Sequence, residues 1–355
     1  MRVRRAIDVG AFEQTVHERG PQHFVGHFFC GHGHILRPRH GHHTSVDDFF
    51  VLDDPADRVK ALRDRELSSN PGGAAAETPN LLLMDGADHR RLRAVVKEVI
   101  ALVEPLPDAV LADLRVTIRG LKSRARFDLV ADFARPAAAR VTEAVLGTVE
   151  PLGEKLLTNL TETAANLDVW SGGPGGADTA AIRVAMFFLK AKAVEGGGLA
   201  LLREAHEAGR ITEDELMITP VMLAHAAYEN SMNFLALAGL ELLRRPDVLD
   251  DVRGLIHEVA PTRFAARRVI APFSLAGKDF ATGDKLAIPL GPGAELAFGL
   301  GRHTCPGSRV AVTEGEVALR ALAEILTPDH VAEDVRYKTH AVFHGVERAI
   351  VALRT

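Results

Sequence analysis

F-G-L-G-R-H-T-C-P-G, Phe298 to Gly307, decides how this chain is read. One cysteine, Cys305, sits among three glycines and a proline, with Arg302 and His303 just before it. Gly299, Gly301 and Gly307 permit positive φ and close backbone approach, so the loop can wrap something flat and bulky. Pro306 removes the amide that follows the sulfur and stiffens the loop. The apolar, helix-like stretch 310–326 follows at once, which puts Cys305 just ahead of a helix N-terminus, where N–H groups and the dipole favour a thiolate. The plainer reading is a buried structural cysteine after a glycine-rich turn.

The totals set the frame. The chain has 355 residues, enough for a large core, with 47% hydrophobic and 25% charged residues, as in ordinary globular proteins. Aromatics make up 5% and the formal net charge is −5, which argues against nucleic-acid binding. Two cysteines, Cys30 and Cys305, do not make a disulfide framework and fit a reducing cytoplasm. No signal peptide and no run long enough to span a bilayer is visible, so the expectation is a cytoplasmic protein without a membrane partner. Residues 17–43 hold eight of the 16 histidines, but Cys30-Gly-His32-Gly-His34 fits no tetrahedral zinc spacing. Residues 1–44 are therefore read as a polar His/Gly-rich segment preceding one domain at 45–355.

Along that domain, residues 48–53 read as a strand and 55–67 as an amphipathic helix. A helix over 81–100 places His89 and Arg93 on one face, able to grip carboxylates. Residues 127–146 read as an apolar turn and a helix with Pro136 near its start. S-G-G-P-G-G at 171–176 reads as a loop, and 196–198 as a helix-ending break. Thr212 followed by Glu215 has the form of a capping box opening a helix to about Arg245, with a kink expected at Pro220. Its middle, L-A-H-A-A-Y-E-N-S-M-N, sets Ala226, Glu229, Asn230 and Asn233 amid apolar residues, either as a site or as a polar packing network.

These stretches, with P-T-R-F-A-A-R at 261–267, resemble the cytochrome P450 family over residues 45–355. The cysteine loop matches the family's F-G-x-G-x-H-x-C-x-G without departure. The resemblance implies a mainly α single domain with a small β region and a haem b whose axial ligand is Cys305. His89, Arg93, Arg267 and His303 would surround the propionates, with Phe298 and Gly299 in the ligand loop. Ala226, Ala227, Phe264 and Phe343 would line a substrate pocket. Glu229 falls on the family's central-helix acid, and Asn230 on its threonine; in the family this pair helps deliver protons during oxygen activation. An amide is a poor relay. The family's E-x-x-R pair is also missing, with Gly254 and His257 in its place. The short 282–297 connection leaves out a last strand, a short helix and the meander that would pack on that pair.

The leading expectation is monooxygenation of a small apolar or biosynthetic molecule. Electrons would come from NAD(P)H through a separate ferredoxin and ferredoxin reductase, because the G-x-G of the loop opens no dinucleotide motif. Asn230 and the shortened core keep open a haem-thiolate peroxygenase, dehydratase, isomerase or cyclase. A non-catalytic P450-like helper protein is the third reading, opposed by the intact Cys305.

Overall fold

Thr212 opens the helix around which the rest packs. Its hydroxyl accepts from the Glu215 amide while the Glu215 carboxylate accepts from the Thr212 amide, the reciprocal cap expected from the sequence. In the computed structural model, which describes residues 49–70, 79–164, 177–339 and 342–354, this helix runs unbroken over 32 residues, Glu213–Arg244. Pro220 lies inside it without ending it. The His/Gly-rich segment with Cys30 and the 171–176 loop lie outside the described residues.

In chain order the described elements are β1 (Phe49–Val51), α1 (Pro55–Arg63), β2 (Leu67–Ser68), α2 (Gly86–Ala101), α3 (Asp108–Arg119) and β3 (Arg126–Asp128). A π-helical turn at Leu129–Ala134 leads into α4 (Arg135–Leu146), followed by α5 (Glu154–Ala164), α6 (Ala177–Lys190), α7 (Gly198–Glu207) and the central α8 (Glu213–Arg244). Then come α9 (Val252–Val259), β4 (Phe264–Val269), β5 (Phe273–Leu275), β6 (Lys278–Phe280) and β7 (Lys285–Pro289). The chain closes with α10 (Ser308–Ala323), β8 (His330–Tyr337) and β9 (Val346–Leu353). The architecture is mainly helical with small sheets, as expected.

The helices share one large apolar core, and a second, smaller core joins α1 to a four-stranded sheet of order β1-β7-β4-β2. Within that sheet β1 and β7 run parallel, and the other pairs are antiparallel. β3, β9 and β8 form an antiparallel sheet, and β5–β6 a hairpin turned by Ala276 and Gly277 at positive φ. Where α8 crosses α10, Gly315 is required: a Cβ there would stand 2.7 Å from the Phe234 ring. No helix among the described residues is long and apolar enough to cross a membrane.

Four local expectations change. Helix α1 stops at Arg63, and Leu67–Ser68 pair with β4 instead of extending it. The 196–198 glycines do not end a helix: α6 is over at Lys190, and Gly198 is the first residue of α7. The strand counted as missing from 282–297 is present as β7, held between β1 and β4, so the shortening falls on the segment after Pro289. Gly307 has φ −92° and serves as the N-cap of α10; only Gly299 and Gly301 of the loop use positive φ.

Candidate active site

The cysteine loop is bound on both sides. Gly299 (φ 63°) and Gly301 (φ 70°) turn it back so that the Cys305 N–H donates to the Phe298 carbonyl at 2.7 Å. Gly301 admits no side chain, since a Cβ would meet the Leu62 carbonyl oxygen at 2.9 Å. The Arg302 guanidinium stitches the loop to the end of α1 and to β2 by donating to the carbonyls of Asp64 and Leu67 and to Asp85 Oδ1. Burial pushes the Cys305 thiol up, against the pull of the Gly307 N–H and Arg93. The helix start alone therefore does not make a free thiolate here; a cation on the sulfur would supply the missing compensation.

Cys305 borders a cavity of about 700 Å³ together with His89, Arg93 and Lys97 from α2 and Arg302 and Arg309 from the loop and α10. The expected His89–Arg93 face does meet the cysteine loop. The His89 ring lies 4.4 Å from that of His303, and the Arg93 guanidinium donates to the Thr304 carbonyl. Asp85, which sequence reasoning passed over, organises this corner. It accepts from Ser68 Oγ (2.6 Å), Ser69 N (2.9 Å) and Arg302 Nε (2.7 Å), and lies 3.2 Å from His303 Nε2. Despite its burial, those hydrogen bonds, led by His303, hold its carboxyl well below the usual range. The signal was faint: an aspartate at the start of M-D-G-A-D-H, with partners far away in sequence.

Two groups here lack a counterpart. Arg267 is 8% exposed, donates only to the neighbouring Ala266 carbonyl, and no carboxylate lies within ion-pair distance of it among the described residues. Burial lowers its pKa to about 10 and Arg302 adds to the effect, while Asp85, beyond ion-pair distance, offsets part of it. His89 is 2% exposed, its Nε2 has no partner, and burial followed by His303 and Arg93 lowers its pKa to about 4. A buried guanidinium without a directly paired carboxylate is costly. Carboxylates of a flat, apolar cofactor seated on Cys305 would complete it, so the residues present fit a haem.

The central-helix residues form a separate cluster and do not line that cavity. Asn230 is tied at both ends: its Nδ2 donates to the Ala226 carbonyl at 3.1 Å, and its Oδ1 accepts from Thr262 Oγ1 at 2.7 Å. Glu229, 1% exposed, is ion-paired with Lys338 just beyond β8 and accepts from Asn233 Nδ2. Ser231, one step round the helix, donates to Glu314 Oε2 on α10 at 2.6 Å. Phe343 bridges to Thr262 and packs edge-on to His225, 5.5 Å away. Ala226, Ala227 and Phe264 are half-buried, while Phe343 is buried at 4%. The structure thus gathers Ala226, Asn230, Thr262 and Phe343 at one place. Lys338 and Thr262, the partners that decide what Glu229 and Asn230 can do, were not found from the sequence.

No family model matches the chain. Among curated proteins it is similar to the beta-dihydromenaquinone-9 omega-hydroxylase of Mycobacterium tuberculosis, 24% identical over 86% of this chain and 72% of that protein. The 6-deoxyerythronolide B hydroxylase of Saccharopolyspora erythraea is 25% identical, over 82% of this chain and 87% of its own length. Of solved structures, epothilone D-bound cytochrome P450epoK superposes with a TM-score of 0.74 at 19% identity, covering 87% of this chain and 91% of that one. This last likeness shows the fold. The sequence relatives and the intact ligand loop agree with it: over more than four fifths of its length the chain is similar to bacterial cytochrome P450 enzymes.

Proposed function

We propose that the protein is a haem-thiolate oxidoreductase that inserts oxygen into a small apolar or biosynthetic molecule, with Cys305 as the residue that would ligate the iron of a b-type haem. The observation that carries this reading is the rigid loop that presents Cys305 to a cavity also lined by the buried His89, whose Nε2 has no partner. When bound, a haem with a thiolate ligand supplies oxygen activation, the sulfur pushing electron density toward O–O cleavage. The chain's own groups do the rest. Arg267, His89 and Arg93 would hold the propionates, and Asp85 and Ser69 fix the His303 ring through its Nε2. The Gly307 N–H and Arg93 stabilise the sulfur's negative charge. Ala226, Ala227, Phe264 and Phe343 shape an apolar substrate site that keeps water out.

In this reading electrons come from a separate ferredoxin system in the cytoplasm. Arg90, Arg93, Lys97, Arg302 and Arg309 around the cavity, against the single acid Glu104, suit an acidic carrier.

A second reading rests on Asn230 and Glu229. The amide is bound to Thr262 and Ala226 and the carboxylate is held by Lys338 through Oε1, so the pair lacks the alcohol that would pass a proton on from Glu229. That favours haem-thiolate chemistry driven by peroxide or needing no electrons. Purified protein is expected to be red, and its reduced carbonmonoxy form to show the strongly red-shifted Soret band of thiolate ligation. Cys305→Ala should abolish the band while Cys30→Ala leaves it. A colourless, folded protein would sink both readings. Turnover with a reductase, with peroxide and with neither separates them.

A further inference from the structure

The loop that carries Cys305 loses the family's E-x-x-R pair and meander, yet one side of it is held by helix α9. This helix is anchored from below: Val252, Leu255 and Ile256 are buried, and Val252 packs beside Gly315 of α10. From its upper face two side chains four residues apart, Arg253 and His257, reach the loop. His257 Nδ1 accepts the Ala297 N–H at 3.2 Å. Its ring stands edge-on to Phe298, with centroids 5.5 Å apart and planes at 88°. The Arg253 guanidinium lies 5.3 Å from the centre of the same Phe298 ring. The Phe298 carbonyl in turn accepts the Cys305 N–H. From α9 to the cysteine amide is therefore a path of two hydrogen bonds through adjacent residues.

We propose that His257 and Arg253 are positioning residues that hold the Cys305 loop in register for its ligand, His257 as a neutral acceptor for Ala297 and Arg253 as a lid on Phe298. The proposal rests on the haem-thiolate reading for what the loop presents. It adds a property that a Glu–Arg pair would not have. The acceptor is an imidazole, and protonation of Nδ1 turns it into a donor facing another donor. The groups around the ring are Arg253 on α9, which opposes protonation, and Glu295 on the loop and Asp251 before α9, which favour it; burial is the larger influence and keeps the ring neutral. The clamp is thus intact at neutral pH and released in acid.

The test compares His257→Leu, which cannot accept, with His257→Asn, whose Oδ1 can stand in for Nδ1 without titrating. In the full-length haem-loaded protein, the ratio of thiolate to thiol forms is read from the reduced carbonmonoxy spectrum between about pH 8 and about pH 5. H257L is expected to lower that ratio about five- to tenfold at neutral pH, as for the loss of one hydrogen bond. H257N should restore it and flatten the acid-side fall expected of the wild type. Amide exchange of the segment carrying the Ala297 N–H, followed in the protein as purified, should speed up in H257L and not in H257N. If H257L keeps the wild-type spectrum and exchange, or if H257N fails along with H257L, the clamp is refuted. Absence of the red-shifted band from the wild type overturns the haem-thiolate reading instead, and the exchange measurement still decides on the clamp.

Discussion

Glu314 offers the sharpest thermodynamic test of the packing between the two helices that would enclose the haem. Its side chain lies between α10 and α8, 1% exposed, accepting from Ser231 Oγ through one oxygen while the other has no partner. Burial raises its pKa from 4.5 to about 8, the Ser231 hydrogen bond offsetting only part of the effect. The folded state therefore holds a proton that the unfolded chain releases above about pH 4.5. Stability falls as pH rises from there and levels off above about pH 8, once Glu314 is ionised in both states. Linkage between those two values gives roughly 3 kcal/mol of stability lost between pH 5 and pH 8. Glu314→Gln keeps an acceptor for Ser231 and cannot titrate, so its stability should lack this component. The assay is equilibrium denaturation of wild type and E314Q across that range, comparing the difference between them at each pH. A difference that stays constant with pH would refute the assignment of a neutral, buried Glu314.

Three further outcomes are expected. Replacing Arg267 by Met removes a buried guanidinium that no carboxylate pairs directly, so the haem-free protein should gain about 1–3 kcal/mol while haem dissociates faster; thermal melts and haem transfer to an acceptor protein check the two signs. Lys338→Met strands the Glu229 carboxylate and should cost about 3–5 kcal/mol, most of it recovered in the K338M/E229Q double variant, as read by denaturant midpoints. Asn230→Thr replaces an amide held by Ala226 and Thr262 with a hydroxyl. Reductase-driven product should rise while peroxide-driven product holds, and equal behaviour of both variants in both assays would count against a lost relay.

What could be read in advance was whatever the sequence carries locally. The Thr212–Glu215 cap, the stop at Arg63 apart, the helix 135–146 and the cysteine loop depend on residues a few positions apart, where spacing speaks directly. The site residues that decide chemistry depend on distant partners. Lys338 reaches Glu229 across 109 residues, Thr262 reaches Asn230 across 32, and His303 reaches Asp85 across 218. No periodicity marks such pairs, because each is made by packing whole elements together. β7 was missed for a related reason: K-L-A-I-P is short, and only its place between β1 and β4 makes it a strand. His257 looked like a loss when compared with E-x-x-R, and only its position opposite Ala297 shows what it holds.

The seam between the cysteine loop and the start of the described chain has a consequence for biosynthesis. Arg302 ties to the Asp64 carbonyl 238 residues earlier, and among the described residues β1 has its only strand partner in β7. At 5–20 residues per second a ribosome needs about 10–50 s to deliver those partners after β1 has emerged. Throughout that interval the edge of β1 and the apolar side of α1 stand open to other chains. Yield of folded protein should therefore respond to translation speed and to chaperones that shield the first-made residues, more than to the stability of the finished molecule.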